Sequence, residues 1–241
     1  MSSSSLLPEP ASKGAFVRAM FDRIAPRYDL VNRLMTGGMD QRWRRMLLAW
    51  LAIAPGQRVL DLATGTGDLA ELASARGASV IGADLALGML KQARARSPHQ
   101  HLAQADGTML PIASCSVDAV TCGFALRNFT DLEATFAECA RVLRPGGQLG
   151  ILEVDRPRSR VLRTLHGVYF DRVVPRIGGW LSDRKAYRYL PESTVFLPPF
   201  DVLTTQLRAA GFDVIEKRPC GLGAVQALRA ARAVSCAKAQ E

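Results

Sequence analysis

The stretch VLDLATGTGDLA, Val59 to Ala70, restricts the possible folds more than any other part of the chain. An apolar run closes on paired glycines and gives way at once to a helical pattern, the signature of a strand feeding a tight turn and a helix. The same alternation recurs. Arg58 to Ala63, Ser79 to Asp84, His101 to Asp106, Val117 to Phe124 and Gln148 to Val154 read as strands. Gly67 to Arg76, Leu85 to Arg96 and Asp131 to Leu143 read as helices, the last stopped by Arg144-Pro145-Gly146-Gly147. This order predicts an α/β fold, a mostly parallel sheet with helices on both faces, whose ligands bind beyond the carboxyl ends of the strands. A helix at Phe200 to Ala210 and strands at Phe212 to Arg218 and Ala224 to Arg229 predict a final antiparallel hairpin.

One domain is expected over 14–230, flanked by a disordered Ser- and Pro-rich tail at 1–13 and a small-residue tail at 231–241. With 241 residues, 48% of them hydrophobic, the chain can bury a sizeable core. Two segments stand outside the alternation: the helical, Arg-rich 14–51 and the insertion 156–199, both candidates for a cap or lid over a substrate. The five cysteines are scattered and odd in number, which fits reduced thiols in a cytoplasmic protein. Three dispersed histidines and the absence of zinc-ligand spacing predict no metal site. The opening MSSSSLLPEP lacks a basic n-region and a long apolar h-region, so the chain reads as one made and kept inside the cell. A formal charge of +9 permits attraction to nucleic acid or to an anionic membrane, and equally describes an evenly solvated basic surface.

Gly65-Thr66-Gly67-Asp68-Leu69-Ala70 satisfies the glycine pattern of dinucleotide sites, with an acid following at Asp84. Asp61, however, ends the strand that feeds the loop. A carboxylate there would repel a pyrophosphate by several kcal/mol at an effective dielectric near 20. Asp61, Asp68, Asp84 and Asp106 each fall at or just past a strand's carboxyl end, which calls for a ligand that is cationic and free of phosphate. S-adenosylmethionine meets that requirement, with ribose hydroxyls suited to Asp84 and adenine beside Asp106 and Gly107. Taken singly, Asp68 can instead cap its helix and Asp106 can start a turn.

The segments VLDLATGTGD, GADLALGML, Ala105-Asp106-Gly107 before Leu110-Pro111, and RVLRPGGQLGILE resemble the class I methyltransferases. FDRIAPRYDLVNRLMTGGMDQRWRR (Phe21 to Arg45), FALRNFTD (Phe124 to Asp131) and VVPRIGGWLSDRKAYRYLPES (Val173 to Ser193) are similar to the ubiquinone/menaquinone biosynthesis C-methyltransferases. The resemblance implies a Rossmann-like sheet of seven strands and methyl transfer from S-adenosylmethionine to a ring carbon of a prenylated quinol. Asp61, Gly65, Thr66, Gly67, Asp84, Leu85, Met89, Asp106, Gly107 and Gly123 are the expected cofactor-binding residues. The chain departs from the family pattern in four places. Gly123 stands where Ser is usual, Ala125 replaces a Gly, Asp40-Gln41 replaces a common His-Arg, and His166-Gly167 occupies a place often held by Tyr-Asp.

Carbon methylation needs a ring activated by loss of a hydroxyl proton, and a phenol pKa of roughly 10 leaves little anion at neutral pH. Arg127 can stabilise that anion or polarise a water acting as base, and Asn128 can orient the oxygen. Alternatively Arg127 pairs with a neighbouring acid and Asn128 caps the helix near Asp131. Tyr28, Tyr169 and His166 are further candidates for the substrate face, His166 as a general base or as a solvated residue on a lid helix. Phe16, Met20, Phe21 and Ile24, with Val161, Leu162, Leu165, Val168 and Phe170, can line a channel for a prenyl tail or simply pack a core. The expected partners are therefore a lipophilic quinol, the inner membrane face as a peripheral docking surface, and a second copy of the chain in a homo-oligomer. A phospholipid amine or phenolic acceptor is the rival reading. Nucleic acid is not expected: Leu197-Pro198-Pro199-Phe200 lacks the amide or acid of base amino-methylases, and Pro219-Cys220 lies in the final hairpin.

Overall fold

The computed structural model describes residues 7–155, 157, 159–169, 172, 174, 176 and 182–234. Seven strands form one sheet: β1 (Arg58–Leu62), β2 (Ser79–Asp84), β3 (His101–Gln104), β4 (Val117–Gly123), β5 (Leu143–Val154), β6 (Phe212–Cys220) and β7 (Val225–Arg232), in the order β3-β2-β1-β4-β5-β7-β6. The first five run parallel and β7 runs antiparallel to both its neighbours. The mostly parallel sheet and closing hairpin match the expectation. The sequence of strand β5 differs from it: Leu143 pairs with Val117 and the register breaks before Ala119 and Gln148 pair, so the expected Pro-Gly-Gly turn is a bulge within the strand.

Helices α4 (Asp68–Ser74), α5 (Leu87–Arg96), α6 (Leu132–Val142) and α9 (Phe200–Ala209) flank the sheet, joined on one face by α3 (Met39–Trp50) of the N-terminal segment. Phe136 and Cys139 of α6 and Leu203 and Leu207 of α9 bury against Leu60, Val120 and Ile151. On the opposite face Leu47 and Leu48 of α3 and Leu69 and Ala73 of α4 meet Val59 and Leu152. A strand order that reverses between β1 and β4 leaves a crevice at their carboxyl ends.

Over this crevice lies a cap made of α1 (Lys13–Ile24), α2 (Tyr28–Thr36) and α8 (Arg184–Glu192), with α7 (Arg160–Val168) before α8 in the insertion. The N-terminal helical segment is broken by Pro26 and by Gly37-Gly38, both glycines left-handed at φ 57° and 77°. Met20 and Ile24 pack with Tyr187, Tyr189 and Leu190 in a cluster of their own. These residues are core, and a tail channel along α1 is not what the cap contains. The regular chain starts at Pro10 and β7 continues through Arg232, so order extends past 14 and 230 at both edges. Cys115, Cys122, Cys139 and Cys220 are free thiols. Among the described residues, no helix is long and apolar enough to cross a membrane and no three His, Cys, Asp or Glu side chains gather as metal ligands.

Several contacts tie the cap to the sheet and its flanking helices, Lys13 Nζ donating to Phe129 O at 2.7 Å among them. Gly88 N donates to Asp22 Oδ1 at 2.6 Å, Thr66 Oγ1 donates to Asp29 Oδ1 at 2.6 Å, and Arg96 bridges Asp29 at 3.1 Å and Asp68 at 2.6 Å. A Cβ on Gly88 would stand 2.9 Å from Asp22 Cα, so glycine is what permits this approach. Asp22→Ala and Asp29→Ala are each expected to lower the melting temperature by about 2–4 °C, the shift that about 1 kcal/mol produces in a domain of this size. Calorimetry of the single and double variants checks this, and an unchanged midpoint in all three would mean that the cap is anchored elsewhere.

Candidate functional site

Two clefts meet under the cap. The first, about 750 Å³ and open to solvent, is bounded by Leu62, Ala63 and Gly65 after β1, by Asp84, Leu85 and Met89 after β2, by Ala105, Asp106 and Gly107 after β3, and by Gly123 after β4. Gly14, Val17, Phe21 and Tyr28 roof it. The second, about 1030 Å³, is lined by Met35, Met39, Trp43, Val154, Val174, Leu190 and Val225, with Tyr28, Asn32, Thr36, Asp40, Arg44, Arg127 and Tyr169 as its polar side chains. Tyr28 and Phe124 border both clefts.

The two loop glycines serve different purposes. Gly65, left-handed at φ 58°, lines the first cleft, and a Cβ there would meet no atom within 4 Å and would project into open space. Gly67, at φ 91°, faces α5, where a Cβ would press on Gln100 Oε1 at 3.4 Å and Ala93 Cβ at 3.5 Å. Gly67 therefore serves packing and does not line the cleft. Thr66 also turns away, its hydroxyl committed to Asp29. Gly107 is close-packed, a Cβ there falling 2.9 Å from the Phe129 ring.

The acids likewise divide. Asp84 accepts from Gly65 N and Ala86 N, both at 2.8 Å, fixing its carboxylate on the cleft wall. Burial pushes its pKa from 3.8 to about 6 against the pull of those N–H groups. Asp61 lies 1% exposed in a recess shared with Ala63, Gly65 and Gly123, accepting from Thr121 Oγ1 and Thr64 Oγ1 at 2.6 Å each. Burial raises it to about 6 as well, opposed by those two hydroxyls. Its field reaches the cleft from one layer below. Asp106 closes a turn, accepting from Thr108 N at 2.9 Å and Thr108 Oγ1 at 2.8 Å, while still bordering the cleft. Asp68 does not join the acidic crevice: burial disfavours its charge, yet Arg44, Arg96 and Arg33 together hold its pKa below the usual value. Its charge is matched within the cap, and three carboxylates rather than four face the ligand side.

Arg127 and Asn128 leave the end of β4 on a short 3-10 turn, Leu126–Asn128. Arg127 is 5% exposed, ion-paired through Nη1 to Glu153 of β5, and donates from Nε to Ser193 Oγ at 3.2 Å. It thus has the acid partner considered from sequence and still borders the second cleft. Asn128 lines the first cleft and accepts from Tyr189 OH at 3.4 Å; the cap of α6 is Asp131, which accepts from Ala134 N at 3.0 Å. Tyr28 has its pKa raised, chiefly by burial, and stays a neutral hydroxyl at the junction. Tyr169 donates to Met35 O at 2.5 Å across the mouth of the second cleft. The His166 side chain lies outside the described residues, as do Leu165 and Phe170. Sequence reasoning missed Trp43, Arg44, Phe124 and Glu153. Only Glu153 carried a visible signal, a charge inside the apolar strand GILEV.

The residues of the first cleft fit a cationic adenosyl ligand: the open space at Gly65, the Asp84 carboxylate fixed on the wall, and apolar walls. A profile of the ubiE/COQ5 methyltransferase family matches residues 10–232. Among curated proteins, the demethylmenaquinone methyltransferase of Thermus thermophilus is 46% identical over 202 residues, covering 81% of this chain and 92% of that protein. The protein of the same name from Roseiflexus sp. is 41% identical over 92% of this chain and 95% of its own length. The ubiquinone/menaquinone biosynthesis C-methyltransferase UbiE of Syntrophotalea carbinolica is 41% identical over 85% of this chain and 89% of its own. Among solved structures, phosphoethanolamine N-methyltransferase 2 of Haemonchus contortus with S-adenosyl-L-methionine superposes at a TM-score of 0.64 and 17% identity, over 90% of this chain and 60% of that one. The [4+2]-cyclase SpnF superposes at 0.64 and 17% identity, over 91% and 96%. Those two share the fold, and a cyclase among them shows that the fold alone does not fix the chemistry.

Because Asp61 and Asp84 are raised acids, each is neutral below about 6 and ionised above it, and a cation gains only from the ionised form. Affinity for S-adenosylmethionine is therefore expected to be level between pH 7 and 8 and to fall as pH drops through about 6. By the same sign the empty protein loses stability as pH rises from about 4 to about 6. Isothermal titration across pH 5–8 checks the first, and a flat profile would refute it. Gly65→Val should weaken that affinity by at least about tenfold, since its side chain enters the cleft, and should also lower Tm because a β-branched residue is strained at a φ of 58°. Gly67→Ala should cost about 1–2 kcal/mol of stability through its left-handed backbone and leave the affinity nearly unchanged.

Proposed function

The chain belongs to the ubiE/COQ5 methyltransferase family, and we propose that it methylates a ring carbon of a prenylated demethylmenaquinol using S-adenosylmethionine. It is an S-adenosylmethionine-dependent methyltransferase. The observation that carries the acceptor is the pair of clefts joined at Tyr28 and Phe124, one polar-edged and one largely apolar with a guanidinium at its inner wall.

S-adenosylmethionine supplies a methyl group already activated on a positive sulfur. The protein's task is to hold an acceptor carbon in line with it, roughly 3–3.5 Å away, and to favour the ionised acceptor. We assign Gly65, Asp84, Leu85, Met89, Asp106, Gly107 and Gly123 to the walls around the cofactor, with Asp61 acting on its charge from below. Thr66 and Gly67 shape the loop from outside. Arg127 would face the ring hydroxyl, whose proton leaves to water as the guanidinium stabilises the phenolate. The carbon adjacent to that oxygen would be the one methylated, and its ring proton would then pass to water, restoring aromaticity. Tyr28 and Asn128, neutral donors at the junction, would orient the oxygen, and Tyr169 would close the cleft mouth.

The apolar cleft would take the proximal part of the prenyl tail. Leu30 and Leu34 of α2 are 55% and 53% exposed, Met39 47%, and Val161 on α7 69%. With exposed Arg160, Arg172 and Arg176 nearby in sequence, this rim suits an anionic bilayer from which the quinol is drawn. It would place the protein in the cytoplasm, at the inner membrane face.

Purified protein given methyl-labelled S-adenosylmethionine is expected to label dithionite-reduced demethylmenaquinol and to leave phosphatidylethanolamine and RNA unlabelled. Label in the phospholipid and none in the quinol would overturn the assignment. Arg127→Lys should lower kcat by about a hundredfold with cofactor affinity changed no more than a few fold. Arg127→Ala should also lose about 3 kcal/mol of stability, because Glu153 is left buried and unpaired. Flotation with phosphatidylglycerol vesicles at low salt should recover the protein at the top of the gradient, and its absence there would sink the docking surface.

A further inference from the structure

Glu153 is the most fully enclosed charged residue among the described residues, 0% exposed at the carboxyl end of β5. Its Oε1 accepts from Arg127 Nη1 and from Val154 N at 2.9 Å. The second contact locks the carboxylate to its own strand, so the position it imposes on the guanidinium is fixed by the sheet. Arg127 is held on a second edge by Ser193 Oγ, which in turn donates to Leu190 O at 3.0 Å. Two elements from opposite parts of the chain thus grip Nη1 and Nε, and Arg127 still borders the apolar cleft.

A carboxylate this dry would not be retained for stability alone, since apolar residues fill such positions at no greater cost. Its other oxygen, Oε2, has no hydrogen-bond partner among the described residues. The same holds for Oε1 of Gln226, the residue directly paired with Glu153 across β5 and β7. A negative charge placed here has one evident recipient, Arg127. We propose that Glu153 is a positioning residue for methyl transfer: it clamps the Arg127 guanidinium against the acceptor cleft and partly neutralises it, setting the pH at which the bound ring hydroxyl ionises.

This rests on the reading of Arg127 as the group facing that hydroxyl. Around the pair stand Arg44 and Asp40 on α3, themselves ion-paired at 2.7 Å, with Tyr28 on α2, Tyr189 on α8 and Cys122 on β4. Burial raises the two tyrosines and the thiol, Tyr189 to about 12, so each of those stays neutral over the working range and none supplies the titration. Glu153→Gln removes the charge, keeps an acceptor for Arg127, and gives the neighbouring Gln226 Oε1 an N–H it can accept. The guanidinium then acts unopposed, the bound phenol ionises more readily, and the acid limb of the kcat profile moves to lower pH.

The test is kcat and KM against pH from 5.5 to 9 for methylation of reduced demethylmenaquinol by the full chain. In Glu153→Gln the acid limb is expected to shift down by about one pH unit with KM for S-adenosylmethionine unchanged. In Glu153→Asp, which keeps the charge but shortens the reach, the limb should stay in place while kcat falls by about tenfold or more. A limb that does not move in Glu153→Gln overturns the proposal, and if that variant does not fold, full activity of Glu153→Asp overturns it as well. A purely structural role would lower the melting temperature of both variants and leave the limb alone. Failure of the wild-type chain to methylate the quinol at all would instead refute the function on which this rests.

Discussion

Two carboxylates, Asp61 buried at the end of β1 and Asp84 half-buried at the end of β2, govern what the first cleft can hold. Neither Asp61 nor Asp84 is ion-paired: hydroxyls and backbone N–H groups supply their hydrogen bonds, and Arg44 only partly offsets the charge of Asp61. Burial displaces both acids upward to about 6, so the negative charge they carry when ionised is left largely unmatched. A pyrophosphate would aggravate that strain, whereas a sulfonium and an ammonium relieve it. Elsewhere in the same neighbourhood the opposite policy holds, since Asp29, Asp40 and Asp68 are each matched by arginine. Charge is therefore sorted: paired where the cap must adhere, unpaired where a cation must enter.

The cap converts a generic crevice into two joined chambers. Without α1 and α2 the first cleft would be an open trough, because its strand-end residues form only floor and walls. Tyr28 begins α2 directly after the Pro26 break, and this places its ring where both clefts meet, against Phe21 at a centroid separation of 5.9 Å. Phe124, on the other border, holds a left-handed φ of 61°, strain of about 1 kcal/mol or more that the sheet must sustain. A residue strained at the point where donor and acceptor must approach is what pre-organisation of a transfer site looks like.

The succession of strands and helices along the chain, the glycine turn and the final hairpin were legible because each is written in local periodicity. The site was legible only in part. Gly65 and Gly67 look alike in sequence, yet one faces a void and the other faces Ala93, a distinction set by how α5 packs. Asp68 reads as one more strand-end acid, and its arginine partners come from 24 to 35 positions upstream and 28 downstream. The second cleft draws on α2 and α3, the end of β4, residues near 154–190 and the β6–β7 turn, so no contiguous motif announces it. Glu153 stood in plain view as a charge in an apolar strand, but its partner could not be named without the 3-10 turn that carries Arg127 back over β5.

Three of the four departures from the family pattern fall on residues whose surroundings are described, and they are not equivalent. Ala125 takes the place of a glycine but sits at φ −120°, an ordinary conformation, because the left-handed step belongs to Phe124 before it. Gly123 removes a side chain whose Cβ would lie 3.0 Å from Leu69 Cδ1, widening the floor of the first cleft. Asp40-Gln41 has wider reach. Asp40 accepts from Thr36 at 2.9 Å and from Arg44 at 2.7 Å, and Gln41 donates to Asp68 at 3.0 Å. Arg44 borders the second cleft and stacks over Phe124, 5.4 Å from its ring centre. A His-Arg pair at the same positions would surround Arg44 with positive charge; here Asp40 pairs with Arg44 as Glu153 pairs with Arg127. On the proposed reading, in which Arg127 faces the acceptor, the substitution would leave the balance between Arg127 and Glu153 to decide how that end of the ring ionises.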